Sequence, residues 1–368
     1  MRVLVVSKTV TNGGDFLFAK YTKDILQHEY PLADFVFDDA FREFTEEEIR
    51  QYSTIVIAGG PLYDNRLMTY DYFPFLKLAF QYSIPVMIIG GGVYGKTGTD
   101  KDIYRYRFCG EALEILQTIE EKGGLLGCRD FVTLEVLKNN GFSKLVMTGC
   151  PVWYDLDNLK KREPVIEQSP EKIMISDPGV TKNPEEQISR AKQACTVIDY
   201  ILQKFPEADV EFTFNNGIYT KYSSKCNEYI KNYLDKKHIK WYNLEKSAEA
   251  FFVYDSVSLH VGFRVHSHLY CMAHRIPSVL IEEDRRGFGM NDVLGLPHIL
   301  GYDETEWSTE IFSPNRFLTN KLDDVIDRMY ETEFIELKSA YRRMEYYYKT
   351  GMRQVLNTLK ENDERNVS

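Results

Sequence analysis

Short, continuous apolar runs alternate along the chain with longer stretches in which apolar residues recur every three or four positions. In the first part of the chain this pattern predicts strands at 2–7, 54–58, 85–89, 125–128 and 144–147. Helical periodicity predicts helices at 16–28, 45–52, 110–122 and 131–140. Continuous apolar runs are typical of strands that are buried on both faces, as in parallel sheets. We therefore expect a mainly parallel sheet with helices on both sides.

A charged, proline-punctuated segment at 159–171 interrupts this alternation, and we interpret it as a linker. A second alternation follows, with strands at 172–176, 209–214, 239–242, 256–261 and 278–281. Helices are predicted between them at 184–204, 220–235, 248–254 and 265–274. The last segment has a charged helical pattern that suits packing back across the rest of the chain. We therefore predict α/β domains at 1–160 and 171–320 and a helical segment at 321–368.

Composition narrows the class of protein. At 368 residues the chain exceeds the size at which a single core usually stops growing. Its net charge of -10 argues against a nucleic-acid partner, because such proteins need a cationic surface. The apolar runs are strand-sized, far from the roughly 20 residues of a membrane span, and the N-terminus lacks a signal-peptide pattern. Six scattered cysteines fit reduced thiols, so we expect a cytoplasmic protein.

The most informative local pattern is the segment 262–268, which contains Arg264, His266 and His268. It directly follows a predicted strand and precedes a predicted helix. Ligands of open α/β sheets bind outside the carboxyl ends of strands, so we expect Arg264 and His266 at a ligand site, as a cation and a proton donor. His268 is a candidate substrate contact, although core packing is the stronger interpretation for it.

Two further arginine patterns also follow predicted strands. Arg129 precedes a helix that Asp130 is placed to cap, and the N-terminus of a helix favours anions. Arg285 and Arg286 stand beside glycines, and paired guanidinium groups match the oxygens of carboxylate and phosphate. At both places, ordinary ion pairs with neighbouring acids are the alternative.

Glycine-rich turns follow three strands of the first domain, at 12–15, 59–61 and 90–92. Because glycine lets the backbone approach a ligand closely, Asn12, Gly14 and Gly60 are candidate substrate contacts. Residues 90–97 also fit the formal patterns of nucleotide-binding loops, with Lys96 as the phosphate-binding lysine. Those loops need a helix directly behind the glycines, and none is predicted there, so a plain turn at the end of a strand is the favoured interpretation.

Taken in chain order, the glycine turns, Arg129-Asp130, Arg264-Val265-His266 and Arg275-Ile276-Pro277 resemble the polysaccharide pyruvyl transferase family. The resemblance runs from the first strand to beyond Pro277. It implies a GT-B-like α/β fold, in which two Rossmann-like domains face each other across a cleft and a C-terminal helical tail follows. The first domain would then bind the acceptor and the second domain the donor.

The resemblance further implies phosphoenolpyruvate as the donor and a sugar of a cell-wall or capsular glycan, free or lipid-linked, as the acceptor of a pyruvate ketal. Protonation of the donor's methylene carbon makes its C2 electrophilic, and His266 is the expected acid. The carboxylate and phosphate would be clamped by Arg129, Arg264 and Arg286. Asp15 would accept a proton from a sugar hydroxyl. No metal or other cofactor is expected, because arginines can neutralise the donor, and a lipid-linked acceptor would allow peripheral membrane association.

Two alternatives stay open. A glycosyltransferase with a nucleotide-sugar donor would share the fold, and arginine together with histidine also suits a diphosphate leaving group. A non-catalytic glycan-binding protein would use the aromatic content of 14% for sugar stacking. The presence of Arg129, Arg264 and His266 in one chain favours an enzyme.

Overall fold

Two parallel β-sheets form the framework of the protein. The structure, a computed structural model, describes residues 1–9, 12–95, 97–98, 100–164, 169–218, 224–303 and 312–367. The strands of the first sheet are β1 (Arg2–Ser7), β2 (Asp34–Asp39), β3 (Thr54–Tyr63), β4 (Val86–Val93), β5 (Leu126–Cys128) and β6 (Leu145–Met147). They pair in parallel in the order β2-β1-β3-β4-β5-β6.

The second sheet is built in the same way from the later part of the chain. Its strands are β7 (Lys172–Ser176), β8 (Asp209–Phe214), β9 (Trp241–Asn243), β10 (Leu259–Gly262) and β11 (Ser278–Leu280). They pair in parallel in the order β11-β10-β7-β8-β9. The predicted α/β fold class with two parallel sheets is therefore confirmed.

Helices connect the strands and continue into the C-terminal tail. Their bounds are α1 (Gly13–Glu29), α2 (Glu46–Ile49), α3 (Phe75–Gln81), α4 (Gly110–Glu121), α5 (Phe131–Asn139), α6 (Pro184–Lys204), α7 (Ser224–Lys237), α8 (Val265–Ala273), α9 (Arg285–Leu294), α10 (Leu318–Glu331), α11 (Ile335–Tyr347) and α12 (Arg353–Val367). Side-chain caps set several of the starts, as at α5, where Asp130 accepts a hydrogen bond from the Thr133 backbone N–H at 2.7 Å. Within the described ranges, none of these helices has the length and apolar character needed to cross a bilayer.

Several elements differ from the expectation from sequence. The sequence pattern did not predict β2 or α3, because β2 is an edge strand with acidic ends and α3 has only seven residues. The expected helix at 248–254 is a 3-10 helix at Glu249–Tyr254. The expected helix at 220–235 begins on residues outside the described ranges, and its described part is α7.

A large hydrophobic cluster extends through both domains and the tail, and a second cluster covers the other face of the first sheet. The first of these clusters includes Leu17 of the first domain, Val261 of the second and Met344 of the tail, and none of these side chains is exposed. The tail then crosses back to the first domain, where Tyr30 Oη donates to the Leu356 carbonyl oxygen at 2.7 Å. The C-terminal helices therefore pack against elements of both sheets.

Arg275 fastens the linker to the second domain. Its buried guanidinium group donates to the carbonyl oxygens of Lys161 at 2.7 Å and Leu159 at 3.1 Å, and to two carbonyls at the end of α8. The same group lies 4.5 Å from the ring centre of Tyr341 in the tail. Arg275 thus holds linker, α8 and tail together, while linker residues 165–168 lie outside the described ranges.

The loop after β4 ties the two domains together. The Gly98 backbone N–H donates to Tyr302 Oη of the second domain at 2.9 Å. The turns predicted at 59–61 and 90–92 are wrong, because β3 and β4 run on through these glycines. The next helical element after β4 is a short 3-10 helix at Lys101–Arg105. Because the described residues between β4 and Lys101 form no helix, the structure does not support the nucleotide-loop alternative. Its lysine, Lys96, lies outside the described residues.

Candidate active site

A cavity of about 220 Å³ lies between the carboxyl edges of the two sheets. Its first-domain wall comes from the ends of β1 and β3 and the start of α1, and its second-domain wall from the segments after β10 and β11. This is where open α/β sheets bind ligands. The expected site residues that line it are Asn12, Asp15, Gly60, Arg129, Arg264, His266 and Arg286. Both domains therefore contribute to one site.

Arg264 follows β10 and is oriented by a buried carboxylate. Its Nε and Nη2 atoms donate to the two oxygens of Asp177, each at 2.7 Å. Asp177, at the end of β7, has no exposed surface. A bidentate pair of this kind fixes the plane of the guanidinium group. The Nη1 edge of Arg264 has no partner among the described residues and stays available to a ligand.

Arg286 lies in the first turn of α9 and is held in a similar way. Its Nε and Nη2 atoms donate to Asp284, with Nη2 2.5 Å from Oδ2. Asp284 also caps α9 by accepting a hydrogen bond from the Arg286 backbone N–H at 2.9 Å. The cap therefore positions both the helix and the arginine, and again the Nη1 group has no partner within the described ranges.

Arg129 reaches the same cavity from the end of β5. It is only 6% exposed, and its Nε lies 3.3 Å from Asp130 Oδ2. Its Nη2 group is buried without a hydrogen-bond partner in the described structure. Leaving such a donor unpaired costs about 1–3 kcal/mol, more for a charged group. A bound anion that draws this guanidinium group towards the cavity would recover part of that cost.

His266 lies in the first turn of α8 and meets the first turn of α1 across the domain boundary. A Cβ atom added to Gly14 would stand 1.9 Å from His266 Nδ1, so glycine is needed there to leave room for the ring. Burial lowers the pKa of His266 to about 3, and the positive charges of the three arginines add to this shift. The protein surroundings alone therefore keep the imidazole neutral near pH 7.

Asp15, in the first turn of α1, is shifted in the opposite direction. Burial raises its pKa to about 6, and the positive charges of Lys8 and Arg286 limit the rise. Asn12, which caps α1, lies with its Nδ2 atom 3.4 Å from Asp15 Oδ1. The carboxyl group is therefore a stronger base than the imidazole of His266, the reverse of their ordinary order. Pairs of groups whose pKa values are pushed apart are typical of acid–base sites.

The structure does not bring Arg285 into the cavity. Its side chain is 1% exposed, and its Nη2 atom donates to the Asp100 carbonyl oxygen at 2.8 Å. Its backbone also contacts Gly95, in the loop that ties the domains together. Arg285 therefore holds the domain boundary beside the site, and its position does not fit the expected substrate contact.

His268 is likewise buried away from the cavity. Its Nδ1 atom lies 2.7 Å from Ser278 Oγ, which is also 2.7 Å from His260 Nδ1. His260 Nε2 continues this network to Ser176 Oγ at 3.0 Å. Ser176 in turn accepts a hydrogen bond from the Arg264 backbone N–H. The core-packing interpretation of His268 thus fits its position. Through Ser176, the network also helps to fix the backbone of Arg264.

Sequence reasoning missed several residues at the site. Asp177 orients Arg264, and Lys8 and Tyr72 line the first-domain wall of the cavity. Lys8 follows β1 and Asp177 follows β7, so the rule that ligands bind at the carboxyl ends of parallel strands would have found both. Tyr72 lies in the irregular segment before α3, and no local signal in the sequence marks it.

Solved structures with the same fold are distantly related in sequence. S. aureus MnaA in complex with UDP has a TM-score of 0.57 at 11% identity, over 97% of this chain and 98% of that one. The UDP-GlcNAc 2-epimerase of Neisseria meningitidis bound to UDP-GlcNAc has a TM-score of 0.55 at 11% identity, with full coverage of both chains. The wall teichoic acid polymerase TagF has a TM-score of 0.52 at 11% identity, over 100% of this chain and 90% of that one. These similarities confirm the GT-B-like fold.

Sequence comparison is more specific about the family. No curated protein matches the chain in sequence. The family model described as polysaccharide pyruvyl transferase, however, matches residues 12–285 of the 368-residue chain. That range includes all the residues that line the cavity except Ser7, Lys8 and Arg286. The chain therefore belongs to the polysaccharide pyruvyl transferase family.

Proposed function

We propose that this chain transfers the pyruvate unit of phosphoenolpyruvate to a saccharide, closes it into a cyclic ketal and releases inorganic phosphate. The observation that carries the proposal is the convergence of Arg129, Arg264 and Arg286 on one cavity. Each guanidinium group is oriented by a carboxylate and keeps an Nη1 group without a partner in the described structure. Fixed donors of this kind match a small anion with several oxygens.

The size and charge of the cavity favour a compact donor. Phosphoenolpyruvate carries one carboxylate and a phosphate with a charge of about -1.5 to -2, so three guanidinium groups suit it. The saccharide acceptor must enter the same cavity of about 220 Å³, which is smaller than the roughly 300–1,000 Å³ of common small-molecule pockets. Little space is then left for the base of a nucleotide-sugar donor.

The reaction balances without any further reactant. The methylene carbon of the donor takes up a proton, which makes C2 electrophilic, and a sugar hydroxyl forms the first C–O bond to C2. The bond between C2 and the phosphate oxygen then breaks, and a second hydroxyl forms the second C–O bond and closes the ketal. Of the two protons that the hydroxyl groups release, one replaces the proton that the methylene carbon took up. The other protonates the phosphate that leaves.

The proton-transfer roles follow from the opposed pKa shifts. The pKa of His266 is low because of burial and three arginines, and a bound trianion would offset those positive charges and raise it. The imidazole would then take up a proton only with donor in place, ready to protonate the methylene carbon. Asp15, whose pKa is about 6, is a carboxylate above that pH and would accept the proton of the attacking hydroxyl.

Phosphate release from phosphoenolpyruvate in the presence of a panel of saccharides tests the proposal. We expect release that requires both substrates and that falls by about 100- to 10,000-fold in His266→Ala, because general acid catalysis contributes that much. His28→Ala is the matched control, since that side chain is 64% exposed on α1, outside the cavity. Equal rates in His266→Ala and the wild type would contradict the role of His266.

Thermal unfolding with each donor separates the alternatives. Phosphoenolpyruvate should raise the melting temperature of the wild type but not of Arg264→Met, because a ligand stabilises the state that binds it. Stabilisation by UDP-sugars and not by phosphoenolpyruvate would support a nucleotide-sugar transferase instead. Stabilisation by saccharides alone, without any phosphate release, would support a glycan-binding protein.

A further inference from the structure

The first-domain end of the cavity holds a cation and aromatic rings that the donor chemistry does not use. Lys8 directly follows β1, and its exposed side chain lines the cavity wall. Its Nζ atom lies 5.2 Å from the ring centre of Tyr72 and 5.9 Å from that of Phe41. Unlike the three arginines, Lys8 has no ion-pair partner in the described part of the chain. Its charge is therefore held beside the rings instead of in an ion pair, although it also acts on the carboxyl group of Asp15.

This end of the cavity is distinct from the arginine end. In the first sheet, β3 and β4 lie between β1 and β5, so at about 4.8 Å per strand the backbones after β1 and β5 are about 14 Å apart. Phe41 follows β2, on the outer side of β1, so Lys8 leans away from Arg129. A compact donor held at Arg129 thus leaves Lys8 free for the second substrate.

The rings provide a surface that suits a sugar. Tyr72 and Phe41 form an edge-to-face pair with ring centres 4.8 Å apart. Tyr72 lines the cavity, and Phe41 is 38% exposed. The C–H face of a pyranose is apolar and packs on such rings, while the groups at the sugar's rim stay free for polar contacts. A cation fixed beside the rings is placed to meet a negative charge on that rim.

We propose that Lys8, Tyr72 and Phe41 form an acceptor subsite that selects a saccharide carrying a carboxylate or phosphate group. The acceptor role rests on the proposed function, whereas binding of the charged saccharide does not. Asp15 lines the same cavity and is close to both ends, since the charges of both Lys8 and Arg286 act on its carboxyl group. A hydroxyl of a sugar held on the rings would therefore be within reach of the base.

Calorimetric titration with matched glycosides tests the subsite directly. The probes are methyl glucoside, methyl glucuronide and methyl glucoside 6-phosphate, with the corresponding galactose and mannose series. The arginine end is first saturated with phosphoenolpyruvate, or with inorganic phosphate if phosphoenolpyruvate does not bind, so that it cannot capture the charged probes. We expect a charged member of at least one series to bind about tenfold more tightly than its neutral partner, as for one partly solvated ion pair.

The variants show whether Lys8 is the cause. In Lys8→Met the preference for the charged probe should disappear, and in Lys8→Arg it should remain. Lys77→Met is the matched control, because Lys77 Nζ also lies over a tyrosine ring, 5.3 Å from Tyr70, but outside the cavity. The uronide and phosphate arms distinguish a uronic acid from a phosphorylated or lipid-diphosphate acceptor.

The outcomes separate this inference from the proposed function. Equal affinity for charged and neutral probes in every series, or a preference that survives in Lys8→Met, would overturn the subsite even if phosphoenolpyruvate is the donor. A preference that is lost in Lys8→Met would support the subsite even if phosphoenolpyruvate fails to bind, in which case only the donor assignment falls.

Discussion

A single methyl group added at Gly14 should disable the site without unfolding the protein. The new Cβ atom would stand 1.9 Å from His266 Nδ1 and 2.4 Å from Cγ. Ordinary contacts begin at 3.4 Å, so the ring would have to retreat by about 1.5 Å. The His266 Cβ atom, at 2.8 Å, would have to move by about 0.6 Å, through a small shift of α8. Because a misplacement of about 1 Å can cost about 100-fold in rate, we expect kcat to fall by about 100-fold or more.

The fold should tolerate the change. Gly14 lies in α1, and alanine is favoured over glycine inside a helix by roughly 0.5–1 kcal/mol, which offsets part of the cost of moving the ring. We therefore expect the melting temperature of Gly14→Ala to stay within about 4 °C of the wild type. Gly287→Ala is the control, because its added methyl group in α9 would meet its nearest neighbour at 3.3 Å.

Phosphate release and thermal unfolding, measured on the same preparations, show whether Gly14→Ala lowers the rate while the protein stays folded. If Gly14→Ala acts through His266, the double variant with His266→Ala should be no slower than His266→Ala alone, because the two changes remove one function. A folded Gly14→Ala protein that turns over at the wild-type rate would refute the placement of the ring between the two helices.

Two further changes test the linker and the base. Arg275→Lys should lower the free energy of unfolding by about 2–3 kcal/mol in a urea titration, because an ammonium group cannot reach all the buried carbonyls that the guanidinium group satisfies. Arg105→Lys is the control and should leave the stability unchanged, because the Arg105 side chain is 85% exposed. An unchanged stability in Arg275→Lys would contradict the role of Arg275. Burial raises the pKa of Asp15 to about 6, and the base must be ionised, so the turnover rate should fall as the pH drops through about 6. Asp15→Asn should lose this pH dependence. If the rate of Asp15→Asn still falls below pH 6, another group is responsible for the decrease.

The sequence was informative wherever function depends on the ends of strands. Arg264 and His266 follow β10 of the second sheet, and Arg129 follows β5 of the first, so each lies at the carboxyl edge of its own parallel sheet, where ligands bind. The packing of the two domains then makes the two edges face each other. The cap formed by Asp130 was also readable, because capping depends on residues a few positions apart.

The sequence does not show which face of a helix points towards the cavity. Arg285 and Arg286 are neighbours in α9, but successive residues of a helix point about 100° apart, so only Arg286 faces the cavity. His266 and His268 are two residues apart in α8 and therefore point to nearly opposite sides. Which side faces the ligand is set by packing between the domains, through contacts that are far apart in sequence.

The continuous core has a consequence for how the site comes into being. Because Leu17, Val261 and Met344 belong to one buried cluster, neither lobe can melt without exposing apolar surface of the other. The molecule should behave as one cooperative unit, and the two walls of the cleft should acquire their spacing as the chain folds. Substrates would then bind in a preformed cleft. Its width is set by the packing of the core and not by closure of the domains around the ligand.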